Sequence, residues 1–351
     1  MPKKKVKVFV ALSGGVDSSV AAALLKRDGF DVVGVYIKCW TANDPLYKGC
    51  TSVDDERSAR LAASHLGIPF YTWNFIKEYK KRVVEYMLDG YKKGITPNPD
   101  VMCNREIKFG LFFEKAVKLG ANFVASGHYV RIQNGKILQG IDKNKDQSYF
   151  LSSIKKEVLP KVLFPIGEYT KPEVRELAKS FGLPNALRMQ SKGICFIGKV
   201  DFADFLKKHI KSKLGDIVDM NGKFLGEHDG LVFYTIGQRK GIKLSGGPYF
   251  VVRKDFKNNR LVVSKDEKDL GSNGIVVSNV SWFSKPEFES SLSIEVKIRY
   301  RALSVPAKLL KVAGEENSYK LEFSKPQRAT TSGQFAVFYK GEEMLGGGVI
   351  Q

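Results

Sequence analysis

The sequence predicts an α/β N-terminal domain with a parallel sheet, a small central domain and a C-terminal antiparallel β-barrel. In the first half of the chain, β-rich apolar runs alternate with helical patterns, which is typical of βαβ units and a parallel sheet. After about residue 206, short β-rich segments are separated by glycine-containing turns, and this spacing is typical of a small antiparallel barrel. We therefore place the three domains at residues 1–205, 206–268 and 269–351.

The individual elements follow from the same patterns. In the α/β half we predict strands at residues 5–12, 31–38, 70–73 and 122–126 and helices at 18–27, 54–66, 106–119 and 171–181. The last of these helices has the clearest signals, because Thr170 and Glu173 form a capping-box pattern and Gly182 is a suitable stop. In the barrel region and just before it, we predict strands at 261–264, 274–280, 292–300, 307–312, 319–323, 334–339 and 346–350.

The composition narrows the class of protein. Its 57 Lys+Arg against 37 Asp+Glu give a formal net charge of +20, which favours a polyanionic partner such as nucleic acid, although a solvated basic surface gives the same count. A hydrophobic content of 43% excludes disorder, and no apolar run approaches the roughly 18 residues that a membrane span requires. Neither a secretory signal nor a C-x-x-C pair is present, so we expect a cytoplasmic protein without a disulfide scaffold or a zinc site.

A glycine-rich loop follows the first predicted strand. Residues 13–19 read Ser-Gly-Gly-Val-Asp-Ser-Ser and lead into a predicted helix, so their amides and hydroxyls can bind phosphate. Asp17 is placed to hold Mg²⁺ or to orient the loop. No lysine ends the loop, which distinguishes it from the G-x-x-x-x-G-K-[ST] motif. The heptad resembles the pyrophosphatase-type loop (PP-loop) of ATP-dependent adenylating enzymes.

Two cysteines lie in unusual local sequences. Cys103 follows a proline-rich turn, and we predict that it occupies the N-terminal end of a helix, where the dipole and the nearby Arg105 and Lys108 favour a thiolate. Asp100 is a candidate general acid or base. Cys195 lies in a glycine-flanked apolar segment. Both cysteines could be buried structural residues, but beside an adenylating loop they favour sulfur transfer through a persulfide and thiol exchange.

From end to end, the chain resembles the tRNA-specific 2-thiouridylases (the MnmA/TrmU family). The resemblance rests on seven segments in order, at residues 11–19, 96–109, 126–129, 145–151, 193–198, 234–241 and 297–301. It implies an adenine-nucleotide alpha-hydrolase-like PP-loop domain, a small central domain and a β-barrel that contacts tRNA.

The resemblance also implies the reaction, which is ATP-dependent 2-thiolation of the wobble uridine of tRNA. Members adenylate the C2 oxygen and transfer sulfur from a cysteine persulfide. By position, Cys195 carries the persulfide, Cys103 resolves it with formation of a Cys103–Cys195 disulfide or release of hydrosulfide, and Asp100 is the acid or base. Implied partners are ATP, Mg²⁺, tRNA and a persulfide sulfur-donor protein (a relay protein or a cysteine desulfurase). We expect a monomer with no membrane partner and no resident metal site.

Further residues follow from the matched positions. The nucleotide-binding residues are Ala11, Leu12, Ser13, Gly14, Gly15, Val16, Asp17, Ser18, Ile37 and Gly127. The residues expected to contact tRNA or the flipped base are Asn98, Pro99, Asp100, His128, Lys145, Asp146, Gln147, Arg299, Tyr300 and Gln334. Two alternatives are another PP-loop adenylating enzyme and a non-catalytic RNA-binding relative that keeps the loop as a relic.

Overall fold

The computed structural model describes residues 5–41, 52–189 and 202–351. Its first half contains β1 (Lys7–Ala11), β2 (Asp31–Lys38), β3 (Phe70–Asn74), β4 (Phe123–Ser126), β5 (Val130–Gln133), β6 (Lys136–Gln139) and β7 (Val162–Leu163). Five of these strands form one sheet in the order β3-β2-β1-β4-β7, and every neighbouring pair is parallel. The predicted parallel sheet is therefore confirmed.

The helices of this half lie on both faces of the sheet. They are α1 (Val16–Arg27), α2 (Ser52–His65), α3 (Ile76–Tyr79), α4 (Glu85–Lys92), α5 (Pro99–Cys103), α6 (Phe113–Lys118) and α7 (Lys171–Ser180). Side chains alternate along β1, so Phe9 packs into one buried apolar cluster while Val8 and Val10 pack into another on the opposite face. The predicted capping box begins α7, where the Glu173 carboxylate accepts hydrogen bonds from the Thr170 amide and hydroxyl at 2.6 and 2.7 Å.

The helix that carries Cys103 differs from its prediction. It begins with α5 at Pro99 rather than near residue 106, and it continues into α6 through a π-helical stretch at Asn104–Phe112. Asn98 is the N-cap, with its side chain accepting from the Val101 amide at 3.2 Å, and Pro99 supplies a favourable first residue. Cys103 therefore lies in the second turn, so its predicted place at the helix N-terminus was wrong.

The central region forms a separate four-stranded sheet. After α8 (Phe202–His209) it contains β8 (Gly215–Val218), β9 (Phe224–His228), β10 (Phe250–Asp255) and β11 (Arg260–Ser264), in the order β10-β11-β8-β9. Its apolar side chains form a cluster of their own that includes Ile217, Val251 and Leu261. This cluster is the core of the small central domain.

The C-terminal region is a closed antiparallel barrel. Its strands are β12 (Gly271–Trp282), β13 (Ser291–Lys297), β14 (Val305–Lys311), β15 (Tyr319–Arg328), β16 (Phe335–Lys340) and β17 (Glu343–Ile350). They pair in the order β12-β15-β14-β13-β16-β17, and a further pairing of β12 with β17 closes the ring. The predicted fold class is confirmed in all three parts. Within the described ranges, the helices are too short or too polar to cross a membrane.

A hairpin from the first half extends the barrel sheet. β5 pairs with β6, and β6 pairs with β17 through Leu138 opposite Glu343. Ion pairs hold the junction, among them Arg131 with Glu342 and Lys136 with Glu343 at 2.9 Å. The sequence patterns did not predict this contribution of residues 130–139 to the barrel.

Candidate nucleotide and RNA site

The loop at residues 13–19 joins the carboxyl end of β1 to the start of α1. Gly14 has φ +78°, and a Cβ at this position would overlap the carbonyl oxygen of Asp55, so only glycine fits without strain. The loop's own hydroxyls brace it: Ser18 Oγ accepts from the Ser13 amide and donates to the Gly15 carbonyl, both at 3.1 Å. The loop is thus ordered in front of the first amides of α1, which have no partner within the helix. Such an arrangement is typical of phosphate-binding sites.

Three side chains from outside the loop fix the Gly14 carbonyl. It accepts hydrogen bonds from Ser58 Oγ at 2.7 Å, Asn185 Nδ2 at 2.9 Å and Arg188 Nη1 at 3.1 Å. The same guanidinium binds Asp55 Oδ1 at 2.5 Å. These residues were not predicted, because no local motif marks them; their partners come together only in the folded chain.

The predicted nucleotide-binding residues gather at neighbouring strand ends. Ala11 and Ile37 lie in β1 and β2, and Gly127 directly follows β4. A Cβ at Gly127 would lie 2.6 Å from the Ser18 amide nitrogen, so β4 approaches the loop backbone closely. In the sheet, β2 and β3 lie on one side of β1, and β4 and β7 lie on the other. The strand order therefore reverses between β1 and β4, and ligands of open α/β sheets bind at such switch points.

Asp17 is the acidic residue of the loop. Its Oδ1 accepts hydrogen bonds from Tyr129 Oη at 2.8 Å and from Lys171 Nζ at 2.5 Å. Burial, and then the charge of Asp17, raise the pKa of Tyr129, so its hydroxyl stays protonated and donates. Among the described residues no group of three or more metal-ligating side chains occurs. A single loop carboxylate does fit Mg²⁺ carried largely by phosphate oxygens and water.

His128 is enclosed by the protein and is 6% exposed. Its Nδ1 lies 2.7 Å from Ser126 Oγ, and its Nε2 lies 3.5 Å from Lys108 Nζ. Burial, and then the charge of Lys108, hold the pKa of His128 well below its ordinary value, so the ring is neutral with Nε2 as acceptor. The rings of Phe109 and Phe164 flank it. A contact of His128 with tRNA stays a prediction.

The turn before α5 brings together two predicted tRNA-contacting residues that are 236 positions apart. Asn98 Nδ2 donates to Gln334 Oε1 at 3.4 Å, and Gln334 Nε2 donates to the Thr96 carbonyl at 2.8 Å. The Thr96 amide also donates to the Ser332 carbonyl at 2.8 Å. A barrel loop therefore holds the turn that precedes Pro99, Asp100 and Cys103.

Cys103 and Asp100 differ in their access to solvent. Cys103 is fully buried in the apolar cluster that also contains Ile37 at the nucleotide end of β2. Asp100 is partly exposed, and its carbonyl accepts from Asn104 Nδ2 at 3.0 Å. Arg105, which the sequence suggested as a neighbour of the thiol, pairs with Glu106 at 2.9 Å. Cys195 and Cys50 lie outside the described residues, and so does any Cys103–Cys195 disulfide.

The predicted segment 145–147 connects the loop region to the barrel. Asp146 is buried and accepts from Ser148 Oγ at 3.0 Å and from Lys297 Nζ at 3.1 Å. Gln147 Oε1 accepts from the Tyr129 amide at 3.1 Å. Asp146 and Gln147 therefore bind other parts of the protein through these hydrogen bonds. Lys145 is partly exposed.

The predicted barrel residues form a partly exposed basic and aromatic group. Arg299 Nη2 binds the Ala329 carbonyl and Thr331 Oγ1, and burial together with the charge of Arg328 lowers the pKa of Arg299. The Tyr300 ring packs 4.3 Å from the Phe150 ring. The guanidinium of Arg301 lies over the Tyr300 ring at 5.3 Å.

The fold and the glycine-rich loop define an α/β protein with a parallel sheet and two appended β domains. Three family models match successive parts of the chain: a tRNA methyl transferase HUP domain at residues 6–199, a tRNA methyl transferase PRC-barrel domain at 203–265 and an aminomethyltransferase beta-barrel domain at 272–350. Over 98% of its length the chain is 47% identical to the tRNA-specific 2-thiouridylase MnmA of Bacillus licheniformis, 94% of which is covered. Over 99% of its length it is 46% identical to tRNA-specific 2-thiouridylase MnmA 1 of Geobacillus kaustophilus, 96% of which is covered.

The chain belongs to the tRNA-specific 2-thiouridylase family, and it is an enzyme. The resemblance drawn from the seven sequence segments is thereby confirmed. Among solved structures, a 4-thiouridine synthetase–RNA complex with bound ATP overlays 56% of this chain and 46% of that chain at 20% identity and a TM-score of 0.36.

Proposed function

We propose that this protein uses ATP to replace the C2 oxygen of the wobble uridine of tRNA with sulfur. The observation that carries the proposal is the ordered loop at residues 13–19, at the β1–β4 switch point of a chain related over nearly its full length to tRNA-specific 2-thiouridylases. An amide-like oxygen is a poor leaving group, whereas AMP is a good one. Adenylation of the oxygen therefore makes C2 susceptible to attack by a sulfur nucleophile.

The loop residues supply the binding groups for ATP. The first amides of α1 and the hydroxyl of Ser13 donate to phosphate oxygens, while the Ser18 hydroxyl donates to the Gly15 carbonyl and braces the loop. Buried Ile37 and the closely packed Gly127 provide an apolar and backbone surface beside the loop for the adenosine part. Mg²⁺ would be held by Asp17 and would neutralise charge on the phosphates.

Sulfur transfer uses both thiols, one to deliver the sulfur and one to release the product. The terminal sulfur of a Cys195 persulfide loses its proton to Asp100, attacks C2, and AMP leaves with the original oxygen. Cys103 as thiolate then attacks the Cys195 sulfur, which frees the 2-thiouridine and forms the Cys103–Cys195 disulfide. An external thiol supplies the two electrons that reduce this disulfide, and a persulfide-donor protein reloads Cys195.

Contacts to tRNA come from several parts of the chain. The net charge of +20 favours the RNA backbone, and the partly exposed Arg299 and Tyr300 suit phosphate binding and base stacking. The Asn98–Asp100 turn is the expected contact for a uridine extruded from its stack, since C2 is otherwise out of reach. The cytoplasmic location and the monomeric state remain predictions.

The proposal is tested by incubating the full-length protein with ATP, unmodified tRNA transcript and a chemical persulfide source, followed by mass spectrometry of the nucleosides. We expect 2-thiouridine at the wobble position together with one AMP and one pyrophosphate per thiolation. Cys195→Ser and Cys103→Ser should abolish thiolation while tRNA affinity stays within about twofold, because neither change alters the charge that binds RNA. Cys39→Ala, which removes a thiol from the same buried cluster as Cys103, is the matched control and should retain thiolation.

Three outcomes would overturn the proposal. Pyrophosphate release with no thiolated nucleoside would indicate another adenylating enzyme. Turnover that yields ADP, or that needs no RNA, would exclude adenylation of tRNA. Specific tRNA binding with neither product would identify a non-catalytic RNA-binding relative.

A further inference from the structure

The phosphate loop contains no cation of its own. Between Ser13 and Ser19 the chain has neither lysine nor arginine, although a bound ATP brings several negative charges. Loops that end in a lysine use this side chain on the phosphates. A cation for this loop must therefore come from elsewhere in the fold.

Lys171 reaches the loop from 154 residues further along the chain. Its Nζ donates to Asp17 Oδ1 at 2.5 Å, and the lysine and aspartate side chains are only 12% and 24% exposed. Tyr129 Oη donates to the same oxygen, and Lys171 Nζ lies 6.0 Å from the centroid of the Tyr129 ring. Lys171 and Asp17 thus form a largely enclosed ion pair beside the amides that would bind phosphate.

The backbone of Lys171 is held in place from two sides. It is the first residue of α7, whose start is fixed by the Thr170–Glu173 capping box. Its amide also donates to Asp142 Oδ2 at 2.9 Å. The side chain therefore extends from a fixed point, and a change of partner requires only rotation of its flexible four-carbon stem.

We propose that Lys171 is a mobile cation of the phosphate loop, in addition to Arg188, which is bound to the Gly14 carbonyl and Asp55, and that it exchanges partners when nucleotide binds. Without nucleotide it neutralises Asp17. With ATP bound, its ammonium group moves to an oxygen of the pyrophosphate portion, and Asp17 is released to the metal ion. This inference rests on the proposed function, because it assumes that the loop binds ATP.

The electrostatics favour such an exchange over a permanent structural pair. An enclosed carboxylate beside a phosphate-binding helix N-terminus repels the ligand and competes with it for the same cation. If Lys171 stays on Asp17, that pair is neutral and the arriving phosphates gain no cation from it. If Lys171 transfers, both anions keep a cation, since Asp17 gains the metal and the phosphates gain the lysine.

The exchange predicts opposite effects for the two partners. Removing Lys171 weakens pyrophosphate binding, because a charge-assisted hydrogen bond is lost. Removing the Asp17 charge strengthens pyrophosphate binding in buffer without Mg²⁺, because the lysine is already free and the competing anion is absent. A permanent structural pair predicts instead that both substitutions leave ligand affinity unchanged, or that both weaken it through disorder.

The test is calorimetric titration of the full-length protein with inorganic pyrophosphate, ATP and AMP, with and without Mg²⁺. We expect Lys171→Met to lower the affinities for pyrophosphate and ATP by at least about tenfold and the affinity for AMP by less than about threefold. Lys171→Arg should restore most of the loss. Without Mg²⁺, Asp17→Asn should raise the pyrophosphate affinity at least about threefold. Lys179→Met, in the same helix but exposed and paired with Glu176, is the control and should bind like wild type.

Each outcome decides a specific claim. Pyrophosphate binding by Lys171→Met at wild-type affinity, or unchanged or weaker Mg²⁺-free binding by Asp17→Asn, would overturn the role of Lys171 while the proposed function stands. Failure of the wild type to bind either ATP or pyrophosphate would overturn both. Loss of AMP binding in step with pyrophosphate would indicate a collapsed loop and would also overturn the exchange.

Discussion

At the scale of single residues, Gly127 sets the spacing between β4 and the phosphate loop. A Cβ there would lie 2.6 Å from the Ser18 amide nitrogen and 2.7 Å from the Asp17 carbonyl carbon. Both neighbours are backbone atoms of α1, so they cannot withdraw as the end of a flexible side chain would. A single added methyl group must push the strand and the helix apart.

We therefore expect Gly127→Ala to lower ATP affinity at least about tenfold and the free energy of unfolding by about 1–3 kcal/mol. Calorimetric titration and urea denaturation measure the two effects. Gly135→Ala is the matched control: its φ of +74° makes alanine strained, but nothing lies within 4 Å, so it should cost about 1 kcal/mol and leave ATP affinity unchanged. Wild-type ATP binding by Gly127→Ala would contradict the tight approach.

The loop itself was predictable residue by residue, whereas its partners were not. Seven consecutive residues between a strand and a helix carry their own signal, because the turn and the amides are local properties of the chain. Lys171 and Asn185 contact the loop across 154 and 171 positions, and a lysine at a helix start or an asparagine in a turn is ordinary in its local sequence. Only the packing of α7 and of the turn that follows it against α1 and its loop brings such side chains to Asp17 and Gly14.

At the scale of elements, the helix start before Cys103 shows how one proline supports two interpretations. Proline disfavours helix for the residue before it, which suggested an extended turn, but its fixed φ and missing amide also suit the first residue of a helix. Asn98 decides between them, because its side chain caps the Val101 amide at 3.2 Å. The positive end of the helix dipole therefore acts near Asp100 rather than at Cys103.

The cap on this helix can be separated from the contact with the barrel by two substitutions of Asn98. Asn98→Ala removes both the cap and the hydrogen bond to Gln334, so we expect the free energy of unfolding to fall by about 1–2 kcal/mol. Asn98→Asp keeps the capping oxygen, loses the Nδ2 donor and adds a carboxylate charge that a helix N-terminus favours, so it should stay within about 0.5 kcal/mol of wild type. Urea denaturation measures both. Equal losses in the two variants would show that the barrel contact, and not the cap, stabilises this turn.

At the scale of the whole molecule, the turn at residues 94–98 is where the three domains meet. Lys254 on β10 donates from Nζ to the Gly94 carbonyl at 2.5 Å and to the Tyr234 carbonyl at 3.0 Å. From the other side, the Ser332 carbonyl of the barrel accepts from the Thr96 amide. The central domain and the barrel therefore both position the segment that leads into the Cys103 helix.

Burial lowers the pKa of Lys254 to about 8, from an ordinary value of 10.5. Between these two values the unfolded chain holds a proton that the folded chain has released, so the free energy of unfolding rises with pH there, by up to about 1.4 kcal/mol per unit. The cost of burying the charge is fully present below pH 8. Across pH 8.5–10, wild type should thus gain stability relative to Lys254→Met in urea denaturation.

The control for this prediction is an exposed lysine of the same domain. Lys223→Met, which removes an exposed lysine side chain, is measured in parallel, and the pH-dependent gain is expected for the comparison with Lys254→Met. A pH-independent difference between wild type and Lys254→Met would mean that Lys254 titrates as an ordinary surface lysine.

The three-part architecture was predictable because its signals are periodic and local. Alternating strands and helices gave the parallel sheet, and the closely spaced β-runs gave the barrel. The extension of the barrel sheet to eight strands by the β5–β6 hairpin was not predictable. Nothing in residues 130–139 specifies that this hairpin pairs with a strand near the C-terminus rather than with the parallel sheet. Register between distant strands depends on how the domains dock.

The β5–β6 hairpin has a consequence for how the protein is made. Lys136 and its ion-pair partner Glu343 are 207 positions apart, so at about 5–20 residues per second a ribosome delivers β17 roughly 10–40 s after the hairpin. During that interval β6 presents an unpaired backbone edge on the nascent chain. The charged side chains Arg131 and Lys136 on the hairpin discourage edge-to-edge association until the last strand emerges and the barrel closes on it.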